Sequence, residues 1–107
     1  GAARFAIEQR KHVDREVPIE AGENVGHVVP HRLCKDTLVE RDVQLQMRVN
    51  RPIEKRVSVE LLDGPEMVAR QGARYARPGE MVTLNVPQKA YDAVNKAESL
   101  RVRVVER

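Results

Sequence analysis

The sequence predicts an all-β fold: an antiparallel, immunoglobulin-like β-sandwich of six or seven strands, with a short helix near residues 87–97. Three observations carry that expectation. Apolar and polar residues alternate with period 2 over residues 43–49, 56–62 and 100–105, which is the pattern of half-buried strands. Turn chemistry recurs between them at Gly22-Glu23-Asn24, Asn50-Arg51-Pro52, Asp63-Gly64-Pro65 and Arg77-Pro78-Gly79. The chain has 107 residues, 41% hydrophobic and 33% charged, enough for one core and one domain. One cysteine and no tryptophan rule out the disulfide and core Trp of true immunoglobulin domains, so the likeness is architectural and carries no function.

The elements follow in order. Residues 1–7 are Ala-rich and read as the end of a helix, too short to stand alone; residues 1–12 are taken as a helical remnant, linker or cloning scar before a single sandwich domain over 13–107. Val17 and Ile19 share one side of a short strand, and Pro18 marks it as an edge because proline donates no ladder hydrogen bond. Residues 26–33 form a second extended stretch interrupted by Pro30. Val43, Leu45, Met47 and Val49 face one way in the next strand, and Val57, Val59 and Leu61 do so in the one after. A weaker strand over 66–70 leads into an extended stretch over 71–77, with a bulge expected near Gly72. Val82, Leu84 and Val86 form the apolar face of residues 81–86. Residues 87–97 break the alternation and read as a short surface helix with Pro87 in its first turn. Leu100, Val102 and Val104 face inward in the last strand, with Arg101 and Arg103 outward.

Composition narrows the functional classes. No apolar run approaches the ~18–20 residues of a membrane span, and the N-terminus lacks the order of a signal peptide. A single Cys34 cannot make an internal disulfide, which suits a reducing cytoplasm. Nineteen basic residues oppose sixteen acidic ones, for a net charge of +3. The signs are mixed along the chain: nine basic and eight acidic up to Ile53, ten and eight after it. Only three aromatic residues occur (Phe5, Tyr75 and Tyr91), which argues against base or sugar stacking and hence against a nucleic-acid partner. Fourteen of the nineteen basic residues are Arg, the cation suited to bidentate carboxylate contacts.

No catalytic constellation emerges. His27, His31 and Cys34, with His12 as a fourth, are zinc-competent residue types. Pro30 prevents a helix that would align His27 and His31, and on a strand they stand ~13 Å apart, so no metal site is assigned. Cys34 lacks a specific activating neighbour. Ser58 and Ser99 sit in no nucleophile elbow, no carboxylate pair stands out, and no phosphate-cradling glycine loop is present. The one local basic concentration is Arg70, Arg74 and Arg77, with Tyr75 among them. These four residues are the interface candidates, either a surface for an acidic partner or a solvated hairpin.

Residues 17–31, Val-Pro-Ile-Glu-Ala-Gly-Glu-Asn-Val-Gly-His-Val-Val-Pro-His, and 74–83, Arg-Tyr-Ala-Arg-Pro-Gly-Glu-Met-Val-Thr, together resemble the C-terminal β-rich extension of FAD-dependent pyridine nucleotide-disulfide oxidoreductase-like proteins. The opening Gly-Ala-Ala-Arg-Phe-Ala resembles the helix that ends such a flavin domain. The resemblance implies a non-catalytic accessory domain serving packing, docking or dimerisation. It places FAD and NAD(P) in a parent chain rather than in this segment, and transfers no catalytic residue. Its expected partners are other domains of that chain, another protein or a second copy. The rival expectation is a free-standing binding module that uses the basic hairpin over 70–77 to hold an acidic protein or a nucleic acid.

Overall fold

A computed structural model describes residues 16–107. The helical remnant read over 1–12, and His12, lie outside the described residues. The strands are β1 (Glu16–Ala21), β2 (Val25–Val29), β3 (Arg32–Cys34), β4 (Val43–Val49), β5 (Val57–Asp63), β6 (Glu66–Ala73), β7 (Val82–Val86) and β8 (Leu100–Glu106). Two helices interrupt them: α1 (Lys35–Glu40), and α2 (Tyr91–Lys96) with a 3-10 turn, Gln88–Ala90, leading into it. One sheet has the order β3-β1-β8-β5-β6 and the other β2-β4-β7. All pairings are antiparallel except β1 with β8. The all-β sandwich is therefore as expected, with eight strands among the described residues rather than six or seven.

The core is the sum of the inward alternates. Val17, Ile19, Leu33, Val57, Val59, Leu61, Val102 and Val104 come from the five-stranded sheet. Leu45, Met47, Val49, Leu84 and Val86 come from the other. Leu38 of α1 and Val94 of α2 are fully buried and belong to the same cluster. Area removal at ~25 cal/mol/Å² makes such side chains worth about 1.5–3 kcal/mol each.

Two expectations are corrected at the start of the domain. The stretch 26–33 is not one strand. It divides at Pro30 into β2 and β3, which pair in different sheets. Pro18 does not mark an edge strand, because β1 changes partner there. Its first half pairs with β3 and its second half with β8. The Ile19 N–H donates to the His31 carbonyl at 2.8 Å, so the neighbouring backbone N at Pro18 points away from β3. The β8 ladder begins only at Ile19 opposite Leu100, so the missing donor of Pro18 costs no ladder bond.

The turn after β1 ties both sheets together. Asn24 sits at φ 65°, a left-handed conformation that asparagine tolerates. Its Nδ2 donates to the Val104 carbonyl at 2.7 Å, and its own carbonyl accepts the Asn50 N–H at 3.0 Å. Between β5 and β6, Gly64 takes φ 58° and is followed by Pro65, whose ring keeps φ negative. This is the pattern of a type II′ hairpin.

The bulge in β6 lies at Val68, not near Gly72. Leu61 pairs with Ala69 and Leu62 with Met67, which leaves Val68 as the extra residue. Strand β6 also runs on to Ala73, merging the two segments read separately. Beyond it, Ala76 forms an isolated antiparallel bridge with Ile53.

The helices close one end of the sandwich. Gln88 Nε2 donates to the Val39 carbonyl at 2.9 Å, and Lys35 Nζ to the Asn95 carbonyl at 2.9 Å. The Asp42 carboxylate accepts the Gln88 N–H at 2.9 Å and Asn85 Nδ2 at 3.1 Å. The Asn85 side chain, then the Gln88 backbone, hold this carboxyl below the ordinary carboxylate range. A lowered folded-state pKa contributes stability above the ordinary value and loses it as pH falls through the lowered one. The melting-temperature advantage of the wild type over Asp42→Asn should therefore be full at neutral pH and shrink in acid, below the ordinary carboxylate range. An advantage independent of pH would show that charge at Asp42 is not involved.

Candidate functional site: an arginine-bearing sheet face

Sheet register decides which side chains share the outer face of the five-stranded sheet. Val57, Val59 and Leu61 face the core, so Ser58, Glu60 and Leu62 face outward from β5. The β8 partners of Ser58, Glu60 and Leu62 are Val105, Arg103 and Arg101. Their β6 partners are Gly72, Arg70 and Met67. Val57 stands opposite both Glu106 and Ala73; just past the ends of these ladders Arg107 bonds Arg56 through the backbone, and Arg74 lines the same recess. Six arginines thus occupy the outward positions of three adjacent strands and their ends, with Glu60 the one carboxylate among them. On the neighbouring β1, Glu16 and Glu20 extend the same face.

Glu60 is the anchor of this face. Ser58 Oγ donates to its Oε2 at 3.0 Å, and Arg103 Nε to its Oε1 at 2.7 Å. The Glu60 side chain is 9% exposed and that of Arg103 39%, so the carboxylate is almost dry while its partner reaches water. Long arginine stems on the flanking strands account for burial on an otherwise open face. Arg101 pairs with Glu20 at 3.2 Å. Among the described residues, no ion pair joins Arg56, Arg70, Arg74 or Arg107 to a carboxylate.

Of the four interface candidates read from the sequence, Arg70 stands apart on the outer face of β6, while Arg74, Tyr75 and Arg77 lie in the segment after β6 and line one groove. There Arg77 is neutralised: its Nε and Nη2 reach the Glu54 carboxylate at 3.1 and 3.2 Å, with Glu80 at 3.8 Å. Hydrogen bonding to Glu54 raises its pKa further above the ordinary value. Its guanidinium carbon stands 4.2 Å from the centroid of the Tyr75 ring. Tyr75 and Met81 are exposed beside a shallow groove of about 350 Å³ that Gln71, Arg74 and Thr83 also line. Gln71 closes the seam between the sheets, its Oε1 accepting the Asn85 N–H at 3.1 Å on the open edge of β7.

Arg56, Arg101, Arg103 and Arg107 do not stand out in the sequence as members of a common face. The signal is present in the period-2 parity of three separate strands, but it needs the register between β8, β5 and β6 to add up. The zinc-competent residues are separated: His27 is on β2, His31 in the link after it, and Cys34 at the end of β3 in the other sheet. Among the described residues no group of three or more His, Cys, Asp or Glu is placed to hold a metal ion. Among the same residues no helix is long and apolar enough to cross a membrane. Comparison with protein-family models, with curated proteins and with solved structures finds no match for this chain.

Proposed function

We propose that this sandwich is a non-catalytic interaction domain whose arginine-bearing sheet face docks on an acidic protein surface. The observation that supports it is the surplus of guanidinium groups on the outward side of β8, β5 and β6. Arginine suits the role because its planar fork meets a carboxylate with two parallel hydrogen bonds. A face with a surplus of one sign of charge also steers an oppositely charged partner toward it. The partner we assign is another domain of the same parent chain, a flavin-dependent oxidoreductase. That assignment rests on the resemblance carried by residues 17–31 and 74–83. The flavin and its chemistry would belong to that parent, so the intact natural gene product should show flavin absorption bands. A colourless product would remove the oxidoreductase part of the proposal.

The acidic-surface part has its own test, fluorescence anisotropy with a labelled poly-glutamate peptide. Binding should saturate and weaken about tenfold as salt rises from low to physiological ionic strength. Arg70→Glu should weaken it about fivefold or more, because the substitution changes local charge by two units. Arg48→Glu, on the other sheet, should leave it within about twofold. Tighter binding of duplex DNA than of the peptide, with a steep salt slope, would favour a nucleic-acid binder instead.

A further inference from the structure

The trio Arg107, Arg56 and Arg74 differs from the rest of the arginine face. Residues directly opposite on neighbouring strands have Cβ atoms ~5 Å apart, and like charges there repel. Along the ladders, Arg103 and Arg70 flank the Glu60 carboxylate, which answers the repulsion. No acidic side chain lines the recess bordered by Arg107, Arg56 and Arg74. The backbone there is fixed: the Arg107 N–H donates to the Arg56 carbonyl at 2.9 Å, holding β8 and β5 in register to the end.

The three arginines border a recess of about 240 Å³ whose other lining residues are Gly72 and Ala73. Gly72 leaves room for the tip of Arg107. A Cβ there would lie 2.9 Å from Arg107 Nη1, so the missing side chain lets the Arg107 guanidinium lie over the β6 backbone. Ser58, the cross-strand neighbour of Gly72, is small as well. Three arginine residues thus border a floor of small residues, with the Arg107 guanidinium beside Gly72 and no acidic side chain in the lining.

We infer that Arg56, Arg74 and Arg107 form an oxyanion site that takes a phosphate group. Three guanidinium forks around a small open floor match a tetrahedral dianion with several acceptor oxygens, which a flat carboxylate would engage less completely. The site shares Arg56, Arg74 and Arg107 with the docking face, so an acidic partner seated there would compete with phosphate. It needs these three residues and Gly72, whereas docking draws on Arg70, Arg101 and Arg103 as well.

The test is titration of the 107-residue chain, amidated at Arg107 so that no terminal carboxylate stands beside the recess, at low ionic strength by isothermal calorimetry. Inorganic phosphate, adenosine monophosphate and vesicles containing phosphatidic acid serve as separate probes. At least one should bind saturably, with one phosphate group per chain, and the tightest identifies whether the source is a free ion, a soluble ester or a lipid headgroup. Arg56→Gln and Arg74→Gln should each weaken that binding about tenfold or more, while Arg101→Gln stays within about twofold. Gly72→Val provides a second route. It fills the floor without removing charge, suits a strand, and should weaken phosphate while leaving poly-glutamate binding within about twofold. Failure of all three probes to saturate, or equal loss in the Arg56, Arg74 and Arg101 variants, would overturn the site. Neither result would touch the docking proposal, which stands or falls on the poly-glutamate response to Arg70→Glu.

Discussion

Glu60→Ala should destabilise the domain by about 3 kcal/mol in urea denaturation, while Glu60→Leu should cost about 1 kcal/mol or less. The wild-type carboxylate is nearly dry and joins Ser58 to Arg103 at 3.0 and 2.7 Å. Truncation to alanine removes the only negative charge between Arg103 and Arg70 and leaves a void beside a central strand. Loss of the carboxylate is common to both variants and costs about 1 kcal/mol, because Arg103 is 39% exposed and can turn to water, while the void left by alanine adds about 2 kcal/mol. Leucine leaves the same arginines without their carboxylate but fills the volume, and both guanidiniums can turn to water. A loss of under about 1 kcal/mol for alanine would mean that Glu60 is a bystander on the face.

The second large effect is expected at Gly22. Its N–H donates to the Val102 carbonyl at 2.7 Å, and an added Cβ would stand 2.6 Å from that same oxygen. The obstruction is backbone of β8, so it cannot swing aside as a side-chain tip would. Relief requires the end of β1 to part from β8, and with it the turn in which Asn24 binds the Val104 carbonyl. Gly22→Ala should therefore cost about 2–4 kcal/mol. Gly79→Ala, with nothing within 4 Å of the new atom, should stay within about 0.5 kcal/mol. Thermal melts compare the two directly. Equal melting temperatures would mean that β1 can move off β8 at no cost.

The architecture is legible wherever one face of a strand is wet. In β4, β7 and β8 the buried and solvent-facing residues alternate as the sequence does, and the helix near 87–97 shows itself by breaking that period. Legibility fails where tertiary contacts override local pattern. Helix α1 has no signal in the sequence, because six residues containing Thr37 and Val39 have little helical tendency alone. Burial of Leu38 and the bond from Gln88 to the Val39 carbonyl hold it instead. The split at Pro30 is half legible: proline signals an interruption, but not that the chain changes sheets there. Glycine's permissiveness points to a β6 bulge at Gly72, yet the bulge falls at Val68, and the glycine's place is set by its contact with Arg107.

The candidate site shows the same division. Arg70 and Arg74 are visible as a local concentration, and so are Tyr75 and Arg77. Proximity in sequence groups the four; Arg74, Tyr75 and Arg77 line one groove, and Arg70 lies apart from it. Arg77 is spent on Glu54 and on the ring of Tyr75, and Arg70 and Arg74 join arginines from two other strands. Charge counted along the chain shows mixed signs because acidic residues are interspersed with these arginines in sequence, while on the outward positions of β8, β5 and β6 Glu60 is the one carboxylate. Segregation by face is a property of register, which composition does not record.

If the arginine face is covered by an acidic surface in the natural protein, its guanidiniums should be shielded there and open in the isolated domain. Labelling with phenylglyoxal, read residue by residue by mass spectrometry, detects that shielding whatever the partner is. The intact natural gene product and the 107-residue chain would be treated side by side. Arg70, Arg74 and Arg101 should react at least about fivefold more slowly in the intact product, with Arg41 and Arg48 unchanged. Equal reactivity of all five arginines in the two samples would contradict a covered face.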